Sequence, residues 1–305
     1  MTEPSTTRRN VLRAGSSLVA LGALSGCSGP LSGDGADGGD GTNGTGGGDG
    51  SDGDGPEAPR ADRIPAAADT VVHLDVARLL ADDLVRQRMA TALDQSSSSV
   101  DVSLTEYFDR VESQTGLDPR AVSEVLAFAS TDGSATGVLV WADWDTATVT
   151  EQFRAAGEVE TETYAGQTVS VAGDTALAVT ADGAVAVGSP AGVEAALAVH
   201  SGDADPVSGT LRDHYLAAPA GYARFAFTLP KSFDPAVVGT EVDETALGDV
   251  ESGYGALYRG TGSRGGTVVL ETTSTSAASD VADAADGALA LAAERLSQAQ
   301  ANQEF

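Results

Sequence analysis

Three short stretches of the 305-residue chain hold residue types that do chemistry. His73 and Asp75 stand two apart in Thr70-Val71-Val72-His73-Leu74-Asp75-Val76. In an extended strand that spacing sets both on one face, with Val72, Leu74 and Val76 on the other. An imidazole beside a carboxylate can orient a base or hold a metal. A half-buried strand whose outer face is polar and solvated has the same pattern, and that is the reading favoured for this stretch. Trp141-Ala142-Asp143-Trp144-Asp145 places two indoles among acids, the composition of a cation or sugar platform. Alternation nevertheless sends Trp141 to a core, and Asp145 stands where a helix starting at 146 needs its cap. His73, Asp75 and Trp144 are the candidate surface site.

Gly260-Thr261-Gly262-Ser263-Arg264-Gly265 spells the dinucleotide fingerprint. That motif works where a strand feeds a helix whose N-terminus faces a pyrophosphate. Here the continuation is Thr267-Val268-Val269-Leu270-Glu271-Thr272, β-rich and alternating, so the glycines are expected in a hairpin turn. The chain has no GxSxG elbow and no Walker A sequence, and His200 and His214 lack HExxH or HxH spacing. No catalytic, cofactor-binding or metal-ligating residue is therefore named. No cofactor is expected, and the domain reads as not an enzyme.

Seventeen basic residues face 45 acidic ones, a formal charge of −28, and Lys231 is the only lysine. Nucleic acid needs a basic footprint, so this balance excludes it as a partner. It also opposes docking on anionic lipid through charge. In dilute buffer the like charges repel and work against the compact state. At ~1 M salt the Debye length is only about 3 Å, which screens them.

At the N-terminus Thr7-Arg8-Arg9-Asn10-Val11-Leu12-Arg13 precedes a run from Ala14 to Gly26 of Ala, Gly, Leu, Ser and Val. That run is too short to span a hydrocarbon core of ~30 Å, and it has the order of a secretory signal. Arg8 and Arg9 in their setting resemble a twin-arginine export signal. Leu24-Ser25-Gly26-Cys27, ending at the chain's only cysteine, resembles a lipobox. With the acidic, lysine-poor composition, the chain is similar to twin-arginine-exported lipoproteins of halophilic archaea. The resemblance implies export after folding, lipidation of Cys27 and anchoring at the outer face of the cytoplasmic membrane. One acyl chain contributes ~0.8 kcal/mol per buried CH₂ and anchors only marginally, so a stable anchor takes two. With Cys27 used this way no thiol remains for a disulfide, and the core alone must stabilise the fold.

The elements that would position these residues follow a tether. Residues 1–26 read as the signal and 27–59 as a Gly/Asp-rich linker with almost nothing apolar to bury, of r.m.s. reach ~30 Å. Asn43-Gly44-Thr45 within it is a sequon, making Asn43 a candidate glycosylation site. Residues 60–305 have the composition of a globular domain. Strand-like runs occupy 70–76, 125–131, 136–144, 167–173, 175–181, 184–189, 222–229, 253–260 and 266–273. Helical patterns occupy 77–94, 104–114, 119–125, 146–156, 190–199, 208–217, 234–247 and 276–300. The expected class is α+β, with mixed or antiparallel sheets and helices on one face. Residues 70–156 and 222–300 share the order strand, helix, strand, turn, strand, helix, which points to two related β-α-β-β-α units within 60–200 and 208–305.

The leading expectation for function is a non-catalytic binding or interaction module, held at the membrane through Cys27, with a protein or small solute as its partner. The alternative is a solute-binding lipoprotein of a transporter, which would enclose a cleft between two domains. An extracellular hydrolase built on His73 and Asp75 is the third class, and it needs a nucleophile or metal converging on that strand.

Overall fold

The computed structural model describes residues 60–96, 103–155, 157–229, 249–259 and 264–283. The helical pattern at 234–247 and most of that at 276–300 lie outside these residues, as do Arg8, Arg9, Cys27 and Asn43. In chain order the elements begin with β1 (Thr70–Asp75), α1 (Val76–Ala81), α2 (Asp83–Ser96), α3 (Leu104–Thr115), β2 (Val122–Ala129), β3 (Thr136–Ala142) and α4 (Thr146–Ala155). A run of strands follows: β4 (Glu160–Tyr164), β5 (Gln167–Ala172), β6 (Thr175–Val179) and β7 (Val185–Gly188). Helices α5 (Pro190–Ser201) and α6 (Gly209–Ala217) lead to β8 (Ala223–Thr228), β9 (Val250–Arg259) and β10 (Arg264–Thr272). The described part of a last helix, α7, covers 275–283.

The ten strands of the described residues join one sheet in the order β10-β9-β8-β1-β2-β3-β7-β6-β5-β4, every neighbouring pair antiparallel. The class is α+β. Within the sheet, the six strands β10-β9-β8-β1-β2-β3 centre on the seam between β1 and β8, where Val72 pairs with Phe225. Outward from the seam, Val72 pairs with Ala127 and Ala127 with Val138. On the other side Phe225 pairs with Gly255 and Gly255 with Val268. A local two-fold axis at the seam thus lays β1-β2-β3 over β8-β9-β10. The helices after each meander also correspond. Asp145 accepts the Thr148 amide at 3.0 Å to start α4, and Ser274 accepts the Ala277 amide at 3.2 Å to start α7. The described strands and the helix starts of the two repeated segments have this geometry, while β4–β7 extend the sheet beyond β3.

The helices divide between the two faces rather than sharing one. Successive strand residues point to opposite sides. Val71, Leu126, Phe128, Leu139 and Trp141 therefore form one core with Ile64, Val193, Leu197, Leu211 and Tyr215 beneath α5 and α6. Leu177 and Val185 pack on the other side against Val149 and Phe153 of α4, and Phe227 and Leu270 against Val281 of α7. Each large apolar side chain so buried contributes about 1.5–3 kcal/mol. Close approach of α5 depends on glycine: a Cβ at Gly192 would stand 2.1 Å from the Thr136 carbonyl oxygen.

Two helical patterns resolve differently from the sequence expectation. Residues 77–94 form two helices because Asp82 is extended (φ −89°, ψ 116°) and its carboxylate accepts the amides of Leu84 and Val85, capping α2. Residues 119–125 give only a 3₁₀ turn at Pro119–Ala121; Val122 onward pairs with β3 instead, where its β-branched and aromatic residues pack on a pleated surface. Strand β4 has no apolar alternation to mark it, as Glu160 to Thr163 are exposed. Its charges suit an edge, where they discourage pairing with another chain.

Candidate functional site

His73 does not lie on a solvated face. The alternation that puts Val72 and Leu74 on the α4/α7 side turns His73 toward α6, in the row of Leu126 and Arg224, and its side chain is 13 % exposed. Burial of an imidazole is tolerated because it finds a partner. Nε2 of His73 lies 3.3 Å from Oε2 of Glu124; an ionised carboxylate only accepts, so Nε2 carries the proton. Arg60 forks onto the same carboxylate at 2.9 and 3.2 Å while its guanidinium lies 4.4 Å from the centre of the Trp141 ring. The His73 hydrogen bond foremost, and Arg60 after it, hold the Glu124 carboxyl down to about 2, against the opposing effect of burial. Tyr215 meets the His73 ring edge-on at 6.4 Å, with Arg224 over its own face at 5.7 Å.

Sequence spacing paired His73 with the wrong acid. Asp75 shares the strand face, but its carboxylate accepts the Arg78 amide at 2.8 Å and pairs with the Arg78 guanidinium, capping α1. Trp144 is on the other side of the sheet with α4, its indole N–H donating to the Asp118 carbonyl at 2.8 Å. His73, Asp75 and Trp144 therefore form no common surface site. Glu124 could be found only through the β1–β2 register, since 51 residues separate it from His73. Among the described contacts His73 meets Glu124 and the Tyr215 ring, and no serine, threonine or cysteine. Two buried groups here, Trp141 Nε1 and Tyr215 Oη, have no hydrogen-bond partner among the described residues.

A second network escaped sequence reasoning. The Asp82 carboxylate is 1 % exposed, receives the Arg264 guanidinium at 2.6 and 3.2 Å, and accepts from the Tyr222 hydroxyl. The Arg264 hydrogen bond, then that of Tyr222, hold its carboxyl well below the ordinary range. The Asp82-Asp83 pair is a helix-start signal that marks the position; nothing local marks Arg264 as its partner. The other two histidines also face acids. His200 Nδ1 is 3.7 Å from Asp182, and His214 Nε2 is 3.1 Å from Glu271. Arg259 and Arg264 pair in register across the β9–β10 hairpin, so the glycine-rich stretch between them joins two strands and opens no helix.

An open cleft of about 660 Å³ lies along the flank of α4, above β5 and β6. The size falls in the range of ~300–1,000 Å³ typical of small-molecule sites. Ser170 pairs in register with Leu177, so β5 and β6 present Thr168, Ser170, Leu177 and Val179 as its floor. Helix α4 supplies Glu151 and Arg154 at its wall. Ser170 is only 2 % exposed, yet its hydroxyl has no hydrogen-bond partner among the described residues. Glu151 and Arg154 likewise make no ion pair there. Polar groups left without partners at a concavity are groups a ligand can satisfy. The sequence shows no more than an amphipathic helix and two alternating strands in this region.

Among the described residues no group of three or more His, Cys, Asp or Glu side chains is placed to hold a metal ion, and no helix is long and apolar enough to cross a membrane. No family model matches the chain, and no curated protein matches it. Among solved structures it is similar to crystal forms I, III and IV of TP0453, at 9–10 % identity and TM-scores of 0.43–0.44. Those alignments cover 69–72 % of this chain and 79–81 % of TP0453.

Proposed function

We propose that this chain is a non-catalytic binding module of a halophilic archaeon, exported after folding and displayed at the outer face of the cytoplasmic membrane through lipidated Cys27. The observation that supports binding is the α4–β5–β6 cleft, where the Ser170 hydroxyl on the floor and the opposite charges of Glu151 and Arg154 have no partner among the described residues. By contrast, the groups singled out for chemistry are each engaged elsewhere in the fold: Glu124 holds His73, and Asp75 caps α1. A transporter's solute receptor with two lobes around its ligand is the weaker reading, because the described strands form one continuous sheet with the cleft on its flank.

The test uses the full-length chain in molar salt, melted against a panel of sugars, amino acids, peptides and divalent cations. A ligand present at about 100 times its dissociation constant stabilises the fold by ~2.7 kcal/mol. We expect a shift with one class, abolished by Thr168→Trp, which fills the cleft. A shift that survives this substitution, or a flat panel, would overturn the cleft as the binding site. For display, Cys27→Ser should release the protein from the membrane fraction into the medium; retention would sink the anchor.

A further inference from the structure

We infer that the ligand of the α4–β5–β6 cleft is a small zwitterion, its carboxylate on Arg154 and its ammonium on Glu151. This rests on the cleft being the binding site.

Glu151 and Arg154 are the only charged residues of α4 and both line the cavity. Three positions apart on a helix, their Cβ atoms stand about 5–6 Å from each other, close enough to pair. They do not pair, and neither finds another partner among the described residues. Arg154 shares this with Arg88 and Arg212, whereas other arginines of the chain are paired. Arg63, Arg78, Arg86, Arg120 and Arg264 each hold a carboxylate. A guanidinium and a carboxylate separated by one helical turn, both facing a cavity, match a ligand that carries one charge of each sign.

The two wall charges decide between this ligand and a simple anion. An anion on Arg154 would leave Glu151 beside it as a like charge, whereas a zwitterion offers an opposite charge to each. The floor fits the same class. The hydroxyls of Thr168 and Ser170, without partners among the described residues, can donate to the ligand's carboxylate or accept from its ammonium. Leu177 and Val179 beside them receive a small carbon skeleton. An α-amino acid has these parts in this order.

The experiment is calorimetric titration of the full-length chain in molar salt with L-serine and L-glutamine. Acetate, ethylammonium and glucose serve as probes that each carry one feature alone. Both amino acids should bind while the single-feature probes stay silent. Arg154→Met and Glu151→Gln should each weaken binding about tenfold or more, the loss of one charged hydrogen-bonded contact. Both side chains are exposed, and an unchanged circular-dichroism spectrum checks that the variants fold. Binding of glucose with the amino acids silent would overturn the zwitterion and leave the cleft a binding site. Amino-acid binding indifferent to both substitutions would overturn it too. Silence of every probe here, together with a flat melting panel, would remove the cleft itself.

Discussion

The carboxylate of Asp82 and the guanidinium of Arg264 lie 2.6 Å apart although 182 residues separate them in sequence. Their contact ties the helices inserted between β1 and β2 to the hairpin β9–β10 on the far side of the seam. Asp82 also caps α2, so one side chain sets both a helix boundary and a long-range contact. Asp82→Asn and Arg264→Met should each lower the melting midpoint more than Arg78→Ala does at its exposed pair. The double variant should lose less than the sum of the two singles, as expected of groups that interact directly. Strict additivity in that cycle would mean the pair contributes nothing of its own.

Acid should unfold the domain by way of these carboxylates. A carboxyl whose folded-state pKa is depressed contributes its full stability above its unfolded value and loses it as pH falls through the folded one. For Glu124 the window runs from 4.5 down to about 2. Glu124→Gln should therefore be less stable than the parent at neutral pH, and the gap should narrow as pH drops through that window. Chemical denaturation at a series of pH values in molar salt reads this directly. A gap that stays constant would show that ionisation of Glu124 has no part in it.

Gly192→Ala should destabilise by ~1–3 kcal/mol, because the added methyl meets the Thr136 backbone and α5 must move off the sheet. Gly157→Ala, with nothing within 4 Å of the new Cβ, should stay within about 0.5 kcal/mol. Equal stability of the two variants would refute the close approach of α5.

Dialysis from molar salt into dilute buffer should cost the domain its structure, seen as loss of the far-ultraviolet circular-dichroism signal. The cause is self-repulsion at a net charge of −28 once the Debye length grows from ~3 Å to about 30 Å at 0.01 M. A spectrum indifferent to salt would count against adaptation to a saline habitat.

What the sequence determined by itself is local. Alternation marked nine of the ten strands, because each buries side chains on at least one face and the period of two is written in the residues. It missed β4, whose exposed Glu and Thr residues bury too little to leave that trace. Helix starts at Asp145 and Pro190 were legible for the same local reason: a cap satisfies amides within three residues. Composition alone set the charge and with it the expectation against nucleic acid. Tertiary structure decided everything that depends on register. Whether β1 shows His73 to solvent or to α6 depends on which strand face the helices cover. The partner of His73 depends on the alignment of β1 with β2, which exchanges the neighbouring Asp75 for a Glu124 far along the chain. The cleft followed the same rule, since Ser170 and Arg154 meet its space only once β5, β6 and α4 have stacked. Hydrophobic period is a property of a segment; the pairing of polar groups is a property of the fold, because the free energy of burying a charge is recovered wherever in the chain its partner happens to lie.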